Sequence, residues 1–229
     1  MKRLIILAVA VASFFCANAQ SIMLKQDVNE DTVVSNFGRN RKHFYAGNVG
    51  FASIIGNTDN DSFSLKNAAS WQFNAGVYYK YRVSQPYSLV FRLDYVFDKY
   101  KFKTDSSNVK YANLVMQTAR LEFANRFNYG RRGNYLGRYL EIGISADYAY
   151  RNRFFTKTTA PDNSNYTSEK SILYGLKYIE PFNYSAHARL GFNKFVLTAD
   201  YRLSDNTNNL VNYNLPPLAV GVLLDLGGF

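Results

Sequence analysis

Beyond residue 42, hydrophobic and polar positions alternate with a period of two along most of the chain. The clearest run is Trp71 to Val83, where Trp71, Phe73, Ala75, Val77, Tyr79, Tyr81 and Val83 alternate with Gln72, Asn74, Gly76, Tyr78, Lys80 and Arg82. A period of two predicts an extended strand with one apolar and one polar face. At thirteen residues the run is long for a soluble strand, which has about 5 to 6. It suits a tilted bilayer-crossing strand of about 9 to 11 residues with a short overhang.

The same pattern predicts seven more strands, near His43–Ile54, Tyr87–Tyr100, Tyr111–Asn128, Leu136–Tyr150, Phe182–Leu190, Phe195–Ser204 and Leu218–Phe229. Alternation is weakest in the first, with Tyr45, Val49 and Phe51 on one face. Val90 and Val96 interrupt the polar face of the third. Pro181 has no N–H to give a ladder and belongs where the sixth strand begins. Short turns at Ser84–Pro86, Gly130–Gly133 and Gly191–Lys194 alternate with polar loops at Gly56–Ser70, Lys101–Lys110, Arg151–Leu173 and Asp205–Asn214. An even strand number with alternately short and long connections predicts an all-β fold. Specifically, it predicts an eight-stranded antiparallel transmembrane β-barrel, with short periplasmic turns, longer extracellular loops and both termini on the periplasmic side.

Alternation alone also fits a soluble β-sandwich or a lipocalin-like barrel with the apolar face inside. An eight-stranded barrel is barely wide enough for one packed set of side chains, so the many Phe, Tyr and Leu of the apolar face have to point outward. The other face carries Lys80, Arg82, Arg92, Arg120, Arg126, Arg189 and Arg202 with Asp94, Asp98, Glu122, Glu141, Asp147, Asp200 and Asp225, seven of each sign. A balanced set is what a narrow lumen needs, because an unpaired buried charge is costly. These residues are therefore expected to form a structural ion-pair network. Tyr79, Tyr81, Tyr87, Tyr95, Tyr148, Tyr150, Tyr184 and Tyr201, near strand ends, fit two aromatic girdles.

Composition adds export. Lys2 and Arg3, the apolar stretch Leu4 to Phe15 and Ala17-Asn18-Ala19 are the three regions of a signal peptide, here residues 1–19. Its removal lowers the formal charge from +10 to +8 and takes away Cys16, the single cysteine. Residues 20–42, of mixed charge and little periodicity, read as a flexible periplasmic segment ahead of a barrel over 43–229. The cations are spread along the chain without a nucleic-acid motif, so no nucleic-acid partner is expected.

Chemistry is sparse. His43 and His187 are the only histidines; no zinc-ligand spacing, nucleophile elbow or phosphate-binding loop occurs, so neither catalytic residues, metal nor cofactor are expected. Ser185 and His187 share the lumen parity with Arg189, which suits packing better than catalysis on lipid. Eight strands also enclose too little space for a diffusion pore. Function is thus expected in the loops, above all Arg151–Leu173. There Arg153-Phe154-Phe155 and Tyr174 are candidate docking residues, and Lys99, Lys101, Lys103, Arg151, Arg153 and Lys157 are candidate partners for lipid phosphates.

The Ala-Asn-Ala-Gln region at 17–20, the abundance of Tyr and Asn and the terminal Leu224-Asp-Leu-Gly-Gly-Phe229 resemble the small outer-membrane β-barrel family of Bacteroidetes that includes PorT-like proteins. In architecture the mature chain also resembles OmpA-like and OmpX-like barrels. The resemblance implies a Gram-negative outer-membrane location, outer-membrane lipid and lipopolysaccharide as surroundings, another outer-membrane protein as partner, and a non-enzymatic structural or accessory role in a secretion or assembly complex. The alternatives are a small-solute channel and a lipid-modifying enzyme. The terminal Phe229 resembles a barrel-assembly signal. In strict register it falls on the Asp225 face, so a bulge at Gly227-Gly228 is expected to restore its phase.

Overall fold

The computed structural model describes residues 39–56, 65–66, 69–103, 109–129, 135–159, 168–208 and 214–228. The predicted signal peptide with Cys16, the leader up to residue 38, the Gly130–Gly133 turn and Phe229 lie outside the described residues. No helix among the described residues is long and apolar enough to cross a membrane. The long elements are strands: β1 His43–Ile55, β2 Trp71–Arg82, β3 Tyr87–Phe102, β4 Val109–Tyr129, β5 Arg138–Thr159, β6 Ser168–Tyr174, β7 Phe182–Phe192, β8 Phe195–Arg202 and β9 Leu218–Gly228.

All pairings are antiparallel, and β1 pairs with both β2 and β9. The ring β1-β2-β3-β4-β5-β7-β8-β9 therefore closes on itself with eight strands, which rules out a two-sheet sandwich. The ninth strand, β6, is outside the ring. It pairs with β5 at Arg153–Thr159, whereas β7 pairs with β5 at Arg138–Tyr148. The segment Arg151–Leu173, expected to be a loop, is thus largely a β5–β6 ribbon that continues the barrel wall. Apolar and polar residues occupy both faces there, as in Arg153-Phe154-Phe155, so alternation does not reveal it.

Between the bulges, side chains alternate between lumen and exterior within the ring. Along β3, Leu89, Phe91, Leu93 and Tyr95 face out, while Ser88, Val90, Arg92 and Asp94 are buried inside. The apolar belt on β3 runs from Tyr87 to Phe97 and that on β5 from Leu140 to Tyr150, about ten steps each. At about 3.4 Å per step and a tilt of about 40°, that is about 26 Å, the height of a bilayer's hydrocarbon band. Aromatics mark both edges. Tyr45, Tyr79 and Phe91 stack on one side, and Phe51, Trp71 and Phe97 on the other. An exterior this apolar and a sealed sheet make the chain a transmembrane β-barrel.

The ladders shift register at three places; one is at the start of β4, between Val109 and Tyr111, and the other two set the phase. Opposite Ala46–Asn48, strand β9 fits one extra residue between Asp225 and Gly228, and Gly227 has φ +100°, open to glycine but strained for other residues. This is the bulge expected near the C-terminus. The second is in β5, where Gln117 faces Arg151 but Thr118 faces Ala149. Tyr150 is the extra residue, and both it and Arg151 point outward.

Candidate functional site

The enclosed space among the described residues is the lumen, and charged side chains from seven strands meet in it. Facing strands β3 and β4 put Arg92 opposite Glu122, and β5 and β7 put Glu141 opposite Arg189. Register therefore supplies the pairs before rotamers refine them. Arg189 is clamped to Glu122 by two hydrogen bonds of 2.7 and 2.8 Å and donates another of 3.0 Å to Glu141. Arg126 reaches Glu141 at 2.7 Å, Arg92 reaches Glu122 at 3.2 Å and Glu141 at 3.3 Å. Arg120 holds Asp147 through a fork of 2.7 and 3.0 Å and approaches Asp200 at 3.7 Å, as Arg189 does at 3.6 Å. Four arginines and four carboxylates thus form one connected, buried network. Fork geometry makes Arg the cation suited to it.

The other six predicted lumen charges also face inward; among the described residues, the eight of this network join one another within 4.0 Å. Lys80 donates to the carbonyl of Arg39 at 2.6 Å and Arg82 to that of Asn40. Arg202 donates to the carbonyls of Leu215 and Pro216 at 2.6 and 3.2 Å. These three are near the barrel ends, where backbone oxygens are the available acceptors. Residues 39–42 consequently do not belong to a free leader. Asn40 is buried, and the chain crosses the barrel mouth before β1. Asp225 accepts from Tyr78 at 3.3 Å and Tyr139 at 3.5 Å. Asp94 folds over Gly76 of the facing strand, where a Cβ would come within 2.0 Å of its carboxylate. Asp98 opens onto a cavity.

Aromatic and apolar lumen residues went unrecognised in the sequence. The guanidinium of Arg126 is 3.9 Å from the Tyr139 ring and 5.3 Å from that of Tyr78, so the two rings bracket it. Tyr139 lies flat over Gly191 of β7, where a Cβ would meet its ring at 2.1 Å. Gly191→Ala is expected to force the ring aside and cost about 1 to 3 kcal/mol, as overpacking does. Urea unfolding in micelles reads this directly. An unchanged midpoint would mean that the ring moves freely.

The polar zone is closed by an apolar cluster at each end. Toward the short turns Phe44, Val90, Leu136, Val196 and Leu223 pack together; toward the long loops Phe102, Leu114, Met116, Leu176, Ile179 and Leu215 do so. Val90, which reads as a break in the polar face, belongs to the first. A cavity of about 40 Å³ remains near the loop end, lined by Gln72, Asp98, Arg120, Asp147, Asp200 and Arg202 among others. It is room for about three waters, which suits Asp98 Oδ1 and Gln72 Oε1, both without a hydrogen-bond partner among the described residues.

Ser185 donates to Asp147 at 3.3 Å rather than to His187, and neither ring nitrogen of His187 has a hydrogen-bond partner among the described residues. The two are therefore not coupled as nucleophile and base. Glu122, His187 and Asp200 bring one potential ligand atom each within 4.8 Å of the others. Both oxygens of Glu122 already accept from Arg189, so a cation there would have to displace the guanidinium.

No protein-family model matches the chain, and no curated protein matches it. Among solved structures the chain is similar to Ail, the attachment invasion locus protein of Yersinia pestis. The identity is 15%, with 82% of this chain and 97% of that chain covered and a TM-score of 0.36. For Ail in complex with the heparin analogue sucrose octasulfate the identity is 14%, the coverage the same and the TM-score 0.33.

Proposed function

We propose that this chain is a non-enzymatic integral protein of the Gram-negative outer membrane, a structural or interaction component that acts through the face beyond its loop end. One observation carries this reading: the lumen is filled and plugged at both ends, while the wall continues past the apolar belt on one side only. Beyond Phe97 and Tyr150, strands β3, β4, β5 and β6 extend by up to nine residues, as in Arg151–Thr159. Their inner face carries Phe102, Leu114 and Phe154 against the apolar cluster at that end. In the orientation common to such barrels, short turns face the periplasm and this extension faces outward. Outer-membrane lipid and lipopolysaccharide then surround the belt, and a second outer-membrane protein is the partner for the extension. The resemblance to PorT-like barrels makes a secretion or assembly complex the place to look for it.

Two measurements test this. Planar-bilayer recordings are expected to stay silent, because apolar clusters plug the lumen at both ends; a steady conductance would restore the channel reading. Purification in mild detergent is expected to recover a stoichiometric partner from native membranes. Leu173→Asp, at an exposed site of β6, is expected to release it. Recovery of the barrel alone in several detergents would refute the interaction role.

A further inference from the structure

The outward face of β3 to β6 beyond the belt is basic. Lys99 pairs with Val115, Val115 with Arg153, and Arg153 with Tyr174, forming one row across the four strands. Arg151 faces Gln117 in the row nearer the belt. Lys101, Asn113, Phe155 and Ile172 make the next row outward, and Tyr111, Lys157 and Lys170 the one after. With strands about 4.8 Å apart and alternate residues about 6.8 Å apart, the six cations span about 14 by 20 Å. Among the described residues none of them forms an ion pair, and Glu169 of β6 has the opposite parity.

The cations are interleaved with aromatics. Arg153 and Lys170 are 5.9 and 5.7 Å from the Phe155 ring, and Lys99 is 5.9 Å from Trp71. Such contacts hold long side chains in place. Arg153 Nε is buried without a hydrogen-bond partner among the described residues. A guanidinium fork and neighbouring ammonium groups fit phosphate oxygens. The patch begins directly above Phe97 and Tyr150 at the edge of the belt, the depth of lipid headgroups.

We propose that this face binds the phosphate groups of an anionic glycolipid headgroup in the outer leaflet. This rests on the reading above that the barrel crosses the outer membrane with its long loops outside. Arg153 and Arg151 grip one phosphate, Lys99 and Lys101 approach from β3, and Lys157 and Lys170 extend the site outward.

Trp71 is the single tryptophan and stacks between Phe51 and Phe97, so its fluorescence reports on the site. Titrating the purified chain in neutral micelles with diphosphoryl lipid A is expected to change the Trp71 emission saturably. The triple variant Arg151→Gln, Arg153→Gln, Lys157→Gln is expected to bind about a hundredfold more weakly, at about fivefold per cation. Lys42→Gln, at the opposite end, is expected to leave binding unchanged. Equal binding of dephosphorylated lipid A, or undiminished binding by the triple variant, would overturn the proposal, as would the same response to inorganic phosphate at equal concentration. Should the triple variant not fold, Arg153→Lys keeps the charge and loses the fork, and is expected to weaken binding about tenfold; no change would overturn the site. Flotation with vesicles separates the two readings. A chain that fails to float is not membrane-spanning, whereas one that floats and ignores phosphate refutes the headgroup site alone.

Discussion

Arg189→Met is expected to cost about 3 to 5 kcal/mol of barrel stability, the loss typical of leaving buried carboxylates without their cation. Arg189 holds both oxygens of Glu122, one of Glu141, and is within 3.6 Å of Asp200. Glu141 keeps Arg126 and Arg92, and Glu122 keeps Arg92. Asp200, however, is left with Arg120 at 3.7 Å as its cation, besides the Thr198 hydroxyl at 3.1 Å. Methionine matches the stem of Arg and restores no charge. Adding Asp200→Asn to Arg189→Met removes the anion left with only that more distant cation and is expected to recover part of the loss. Urea unfolding of the barrel in lipid vesicles, followed by the change in electrophoretic mobility between folded and unfolded forms, measures both. A cost below about 1 kcal/mol would mean the charges are solvated like surface pairs, and the picture of a dry, filled lumen would fall.

The second large effect lies on the other face and runs against intuition from soluble proteins. Val77 is 56% exposed and sits midway along β2, so in water Val77→Arg would matter within about 0.5 kcal/mol. At the middle of a bilayer the same change is expected to cost about 2 to 4 kcal/mol. Tyr135, 68% exposed beyond the short-turn edge of the belt, is the matched control, and Tyr135→Arg is expected to cost about 0 to 1 kcal/mol, as at an interface. The difference between the two sites, measured by folding yield into vesicles and by urea titration, is the test. Equal tolerance would place the apolar belt in water and remove the membrane from the account.

Much of this arrangement can be read in the letters, and the parts that cannot have physical reasons. Within the belt one face must meet lipid and the other a crowded lumen, so the period of two is clean and assigns the face of Lys80, Arg92, Glu122, Arg189 and the rest. The need for a bulge near Gly227 follows from the same phase argument. Two things stay hidden. Tyr78, Tyr139, Phe44 and Leu223 are apolar or amphipathic residues at lumen positions, and parity alone makes them look like exceptions. Their role emerges only when cross-strand register brings Tyr139 over Gly191 and against Arg126. The β5–β6 ribbon is hidden because above the belt neither face has a single solvent: Phe154 points into an apolar cluster and Phe155 lies among cations outside. Alternation that depends on two different solvents vanishes where they do.

The bulge at Tyr150 changes how the long β5 strand is to be understood. A strand without it would carry its even-numbered positions outward along its whole length, turning Phe154 to the exterior and Arg151, Arg153 and Lys157 into the apolar cluster. One inserted residue acts as a phase converter, letting two segments of opposite parity share a continuous backbone. The membrane-crossing part and the protruding part can therefore be rewritten independently, as two modules spliced at a single residue. Deleting Tyr150 should therefore remove the bulge and leave both modules facing as they do, whereas inserting one residue after Arg151 should set the protruding module out of phase with the belt.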